Sequence, residues 1–87
     1  MKSDSLTSSQ IRAARALVRW RAQDLARESS VGVATIRRAE LTDNETSMTA
    51  ANDLAVRRAL EAAGVEFINE NGGGPGVRLR KGHRYKA

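Results

Sequence analysis

The chain of 87 residues contains no cysteine, which excludes a disulfide framework, a thiolate metal site and a cysteine nucleophile. Aromatic residues make up only 3% (one Trp, one Tyr, one Phe), so no set of stacking rings for single-stranded RNA is present. The one histidine, His83, stands in the C-terminal stretch without a partner and is read as solvated. No apolar run approaches the roughly 18 residues of a membrane span, and residues 1–10 are too polar for a secretory signal. No Ser/His/Asp arrangement has a plausible spacing, and no metal-ligand cluster appears. The glycine run at 72–76 is followed by neither a lysine nor a helix, so it is a flexible connector and not a phosphate loop. These absences argue against an enzyme. No metal, cofactor or small-molecule ligand is expected, and a soluble cytoplasmic protein is.

What is present is positive charge and alanine. Fifteen Lys and Arg against ten Asp and Glu leave a formal net charge of +5, with a sequence pI near 10.7. Such a surface attracts polyanions, nucleic acid first and anionic membrane second. No cationic helix with large apolar residues supports the membrane. Hydrophobic residues at 40%, with few aromatics and many alanines, favour one small domain of short, closely packed helices.

Along the chain, residues 1–7 read as a loose polar leader. Thr7-Ser8-Ser9-Gln10 fits a capping box that opens a helix. Ile11, Ala14, Leu17 and Val18 then recur at helical spacing, and Trp20 closes the segment as a core cap. A second helix is expected over 22–29, with Leu25 and Ala26 inward, and a third over 33–41. The β-branched Val33, Thr35 and Ile36 weaken the third helix, so packing must hold it. Residues 42–47 form an exposed loop. A fourth helix, capped by Ser47 or Thr49, runs to Ala63 with Val56, Ala59, Leu60 and Ala63 inward, and Gly64 ends it in a left-handed conformation. Alternation at 65–68 and 77–80 around the glycine-rich connector predicts a β-hairpin. In it Val65 and Phe67 share one face, as do Val77 and Leu79. A lone hairpin is barely stable, so it must pack on the helices or pair with another chain. Residues 81–87 are a basic tail.

The organising stretch is 21–41: two short helices joined by a tight turn, with Leu25, Ala26, Val31 and Ile36 placed to close on one another and Arg37 and Arg38 side by side on the second helix. A short helix docked crosswise and showing arginines outward suits the major groove of DNA.

The residues Gln10 to Arg15, Asp24-Leu25-Ala26, 31–36 and Arg38-Ala39-Glu40 resemble the phage-repressor-like (Cro/C1, XRE) helix-turn-helix family. The ending at 59–67 and 76–80 is similar to a bacterial subgroup with a C-terminal hairpin, and the likeness spans about residues 8–80. The resemblance implies a mainly α, lambda-repressor-like bundle of four or five helices over 8–64, a hairpin at 65–80, and dimeric binding to a partly palindromic operator. Gly32, Val33, Ala34, Arg37 and Arg38 would then face bases. Arg21, Ala22, Gln23, Thr35, Thr42 and Asn44 would face phosphates, and Arg15 with Glu40 would form a structural ion pair. Three departures stand out. Ala22 replaces a frequent phosphate-gripping glutamine, Ser30 replaces a frequent turn glycine, and Val33 and Ala34 replace polar base readers. Small apolar groups touch thymine methyls only, so direct readout falls on Arg37 and Arg38.

The expected function is a homodimeric, sequence-specific transcriptional regulator, a repressor in character with scope for autoregulation, associated with the nucleoid through double-stranded DNA. The competing reading is an antitoxin-like or anti-activator module that binds a partner protein through helix 4 or the hairpin edge. Arg57 and Arg58 read as surface or dimer-rim charges. The tail either follows the DNA backbone or only raises solubility, and charge alone does not choose.

Overall fold

The computed structural model describes residues 5–42 and 46–81. Four helices precede a two-stranded antiparallel hairpin: α1 (Ser8–Val18), α2 (Ala22–Ser29), α3 (Val33–Ala39), α4 (Ala50–Ala62), β1 (Val65–Ile68) and β2 (Gly76–Leu79). Among the described residues no helix is long and apolar enough to cross a membrane.

Helix α1 begins as its sequence requires. Thr7 Oγ1 accepts from the Gln10 N–H at 3.1 Å, and Gln10 Oε1 accepts from the Thr7 N–H at 3.0 Å, so two orphan donors are satisfied reciprocally. Ile11, Ala14 and Val18 are buried, while Leu17 is only half-buried. The helix stops at Val18 because Arg19 turns left-handed at φ 59°, without a glycine to ease it. Trp20 follows the turn and packs half-buried against the core, as a core cap should.

Helix α2 keeps its predicted bounds. Asp24 is its own capping device: its Oδ2 accepts from the Arg21 N–H at 2.8 Å, and Arg27 donates to its Oδ1 at 3.1 Å. These donors hold the Asp24 carboxyl below the usual carboxylate range, the backbone N–H contributing most. Ser30 carries the turn with φ 62°, accepting the modest penalty that glycine would avoid.

Leu6 corrects the expectation of a leader that is loose to its end. It is fully buried, its N–H donates to Asp53 Oδ1 at 3.2 Å, and its carbonyl accepts from the Thr46 N–H at 3.4 Å. One apolar residue in a polar segment has no periodicity to announce it. With Ile11, Leu25, Ile36, Val56 and Leu60 it forms the centre of a core shared by all four helices.

Thr49 caps α4 by accepting from the Asn52 N–H at 3.1 Å. The helix ends one residue before the predicted Ala63, within ordinary fraying. Gly64 follows with φ 108°, a conformation in which a side chain would be strained, and the chain reverses into the hairpin. The Gly64 carbonyl accepts from the Arg80 N–H at 2.8 Å and closes the open end of the strand pair.

The strands register Val65 with Leu79, Glu66 with Arg78, Phe67 with Val77, and Ile68 with Gly76. The second strand begins one residue earlier than expected. Val65, Phe67, Val77 and Leu79 pack towards the helices, and Glu66 and Arg78 face outward. The hairpin's far end hangs on α1. The buried Gln10 amide donates to the carbonyls of Ile68 at 3.2 Å and Gly76 at 3.1 Å, a register pair. One side chain therefore caps a helix and fixes the hairpin on it. On α4, Arg57 and Arg58 were read as surface or dimer-rim charges; Arg58 is exposed, while Arg57 is half-buried. Its guanidinium lies 5.1 Å from the Phe67 ring centroid and 3.7 Å from the Glu61 carboxylate.

Candidate nucleic-acid interface

The candidate site is built on α3, and α3 is a poor helix by itself. It has seven residues, begins with three β-branched residues in four, and has no side-chain cap at its N-terminal Gly32. Ile36 and Ala39 are buried against the core. At 100° per residue, that inward side leaves Ala34, Arg37 and Arg38 on the opposite face, and all three are exposed. Val33 and Thr35 flank the face half-buried, and Gly32 is exposed at its start. The five residues expected to face bases thus adjoin on one outward surface, with Val33 at its margin.

The predicted helix over 33–41 is two residues too long. α3 stops at Ala39, and Leu41 is 82% exposed beyond it. The physical reason lies on α1, whose side chains take the last carbonyls of α3. Ser8 Oγ donates to the Ala39 carbonyl at 2.6 Å, and Arg12 Nη1 donates to the Glu40 carbonyl. The Arg15 guanidinium grips the Glu40 carboxylate with two parallel bonds, Nε to Oε2 at 2.8 Å and Nη2 to Oε1 at 2.9 Å. Its remaining Nη1 donates to the Trp20 carbonyl at 2.8 Å. The hydrogen bond to Glu40 raises the Arg15 pKa against the opposing effect of burial. The expected Arg15–Glu40 pair is therefore present. Ser8 and Arg12 were missed because a serine and an arginine at the start of a helix carry no signal for a partner about thirty residues away.

The residues expected to meet phosphate divide. Thr35 lines an open groove of about 220 Å³ between α3 and the start of α4, together with Arg38, Ala39, Ser47, Met48, Thr49 and Asn52. Polar and apolar surface line the groove in about equal measure, and the N-cap Thr49 and first-turn Asn52 of α4 border it. Ser47, Thr49 and Asn52 were not singled out for this, because only the fold brings them to Arg38. Arg21 and Gln23 are exposed at the start of α2, with Arg21 Nε 3.6 Å from Asp24. Ala22 is buried and offers no side-chain contact. Thr42 is turned inward: its hydroxyl hydrogen-bonds with Ser8 Oγ and lies 3.3 Å from the Ala39 carbonyl. It caps α3, which occupies the hydroxyl expected to meet phosphate. Asn44, with its neighbours 43 and 45, residues 1–4 and residues 82–87, including His83, lie outside the described residues.

Among the described residues, the guanidinium of neither Arg37 nor Arg38 has an ion pair or hydrogen-bond partner, and no buried side-chain nitrogen or oxygen lacks one. No group of three or more His, Asp or Glu is placed to hold a metal among them. No protein-family model matches the chain, and no curated protein shows significant similarity to it.

Proposed function

We propose that the protein is a sequence-specific DNA-binding regulator, a homodimeric repressor of lambda-repressor-like fold that uses α3 in the major groove. The observation that carries this reading is the outward face of α3. Two unpaired arginines and a small alanine stand on a short helix that α1 holds from behind. Arg37, with Ala34 and Val33, is the candidate for base contact, since bidentate arginine reads guanine and small apolar groups read thymine methyls. Arg38 borders the groove at the start of α4, where it serves either a base edge or, with Thr35 and Thr49, a phosphate. The net charge of +5 adds a salt-dependent affinity. Two protomers would meet half-sites about one helical turn, 34–36 Å, apart.

The test is fluorescence anisotropy with the duplex upstream of the protein's own gene and with scrambled DNA of equal length, each at two salt concentrations. A preference for the first duplex that survives the higher salt supports an autoregulatory repressor. Equal binding to both, vanishing with salt, leaves charge alone at work. A second reading, a module for a partner protein, is favoured by one observation: Leu54 on α4 is 43% exposed although large and apolar. That side chain is available to a second protomer or to another protein, and sedimentation of the free chain over a range of concentrations separates the two.

A further inference from the structure

We infer that Ser8 and Arg12 are positioning residues for DNA reading: they hold the recognition face of α3 in place by gripping the C-terminal carbonyls of that helix. This rests on the DNA-binding reading of α3 and goes beyond the Arg15–Glu40 ion pair.

The two ends of α3 are unequal. At the N-terminal end Gly32 supplies no side-chain cap, and no acidic residue stands in the first turn. At the other end three acceptors in two successive residues are taken from α1: the Ala39 carbonyl by Ser8, the Glu40 carbonyl by Arg12, and the Glu40 carboxylate by Arg15. Thr42 closes over the same carbonyl beside Ser8. Last-turn carbonyls of a helix ordinarily turn to water or to a C-cap. Here their directions are fixed by side chains from one rigid helix, four residues apart on α1.

A seven-residue helix anchored at one end takes its tilt from that anchorage together with the packing of Ile36. Arg37 and Arg38 lie within one turn of the anchored carbonyls, so the angle at which they enter a groove is set there. A functional constellation tolerates only a fraction of an ångström of misplacement, and a hydrogen-bonded supporting shell supplies that tolerance. Ser8 is fully buried and cannot touch DNA, so any effect it has on sequence preference passes through α3. Arg12 is exposed as a residue and donates through Nη2 to the Ser9 hydroxyl at 3.2 Å, which orients its other nitrogen on Glu40.

The experiment uses the full chain and a duplex enriched from a random pool by the wild-type protein. Ser8→Ala, Arg12→Met and Arg12→Lys are compared by two readouts. One is the ratio of affinities for the enriched and a scrambled duplex. The other is amide hydrogen exchange, resolved by helix. Ser8→Ala and Arg12→Met should each lower the ratio about tenfold, the size expected for losing one hydrogen bond to a partly buried acceptor. Exchange should quicken in α3 and stay unchanged in α1 and α4. Arg12→Lys keeps a donor and should retain most of the preference. Faster exchange in α3 with an unchanged ratio makes the grip purely structural and overturns the inference. A parallel loss of affinity for both duplexes, with exchange unchanged, makes Arg12 only a charge near DNA and also overturns it. If the wild-type protein enriches no sequence at all, the DNA-binding reading itself falls, and the inference falls with it.

Discussion

Arg78 on the hairpin donates through Nε to Glu66 across the strand pair at 3.0 Å, whereas the guanidinium groups of Arg37 and Arg38 on α3 have no partner among the described residues. The hydrogen bond between Glu66 and Arg78 lowers the carboxyl pKa and raises that of the guanidinium. Both regions are short elements that would not stand alone in water, and both are fixed to α1, α3 by Ser8, Arg12 and Arg15, the hairpin by Gln10. They differ in what they show to solvent. The hairpin's central outward charges satisfy each other. The arginines of α3 are left to find an anion, on a helix whose pose is fixed from behind. A paired surface charge is weak evidence for a ligand, and an unpaired couple on an anchored helix is stronger.

Five experiments break or sharpen that contrast. The largest effect is expected from Arg37→Ala with Arg38→Ala. A bidentate arginine discriminates by about 1–3 kcal/mol, so with Arg37 reading a base the preference for a cognate duplex should fall at least about tenfold, with the thermal midpoint unchanged. Anisotropy and a melting curve check both halves, and an unaltered preference would remove α3 from the mechanism. Glu40→Ala comes next. It leaves Arg15 half-buried without its carboxylate and should cost about 2 kcal/mol, or roughly 10 °C in Tm for a chain of this size. Gln10→Ala removes the cap partner and both ties to the hairpin, and about 1–2 kcal/mol should be lost. Hydrogen exchange should then quicken in β1 and β2 before it does in α3, which separates the two anchorages.

Smaller effects are expected where charges are exposed. Arg78→Ala should change neither Tm nor sequence preference, because Glu66 is already in water. A marked loss of DNA affinity in that variant would break the contrast by making the hairpin part of the interface. For Asp24 the folded pKa is depressed, so the unfolded chain binds the proton more readily. Its contribution is full above the ordinary carboxyl pKa near 4 and fades as pH falls through the folded value. Melting curves of wild type and Asp24→Asn should therefore converge as the solution is acidified below about pH 4. A constant gap would mean that Asp24 acts through shape alone.

Local signals were legible, and long-range polar contacts were not. The Thr7/Gln10 box, the bounds of α2, the reversal at Gly64 and the pairing of Val65 with Phe67 and of Val77 with Leu79 on a face all follow from near neighbours in the chain. Leu6 in the core, the second use of Gln10 on the hairpin, and the seating of Arg57 on Phe67 join residues far apart, and nothing in their local pattern marks them. The candidate site divides in the same way. Its outward stripe is set by helical periodicity and was readable. Its support from Ser8 and Arg12, and the groove that brings Ser47, Thr49 and Asn52 to Arg38, depend on how α1 and α4 cross α3. The overlong prediction for α3 has the same origin, since no local breaker precedes Thr42 while tertiary caps stop the helix at Ala39.

The most direct measurement is a titration of the isotopically labelled full chain with an enriched duplex, followed by backbone amide and arginine side-chain NMR. Perturbations should gather on residues 32–38 and 47–52 and on the Arg37 and Arg38 guanidinium groups, with residues 65–79 unmoved. Perturbations centred on the hairpin, with the α3 arginines silent, would contradict the account.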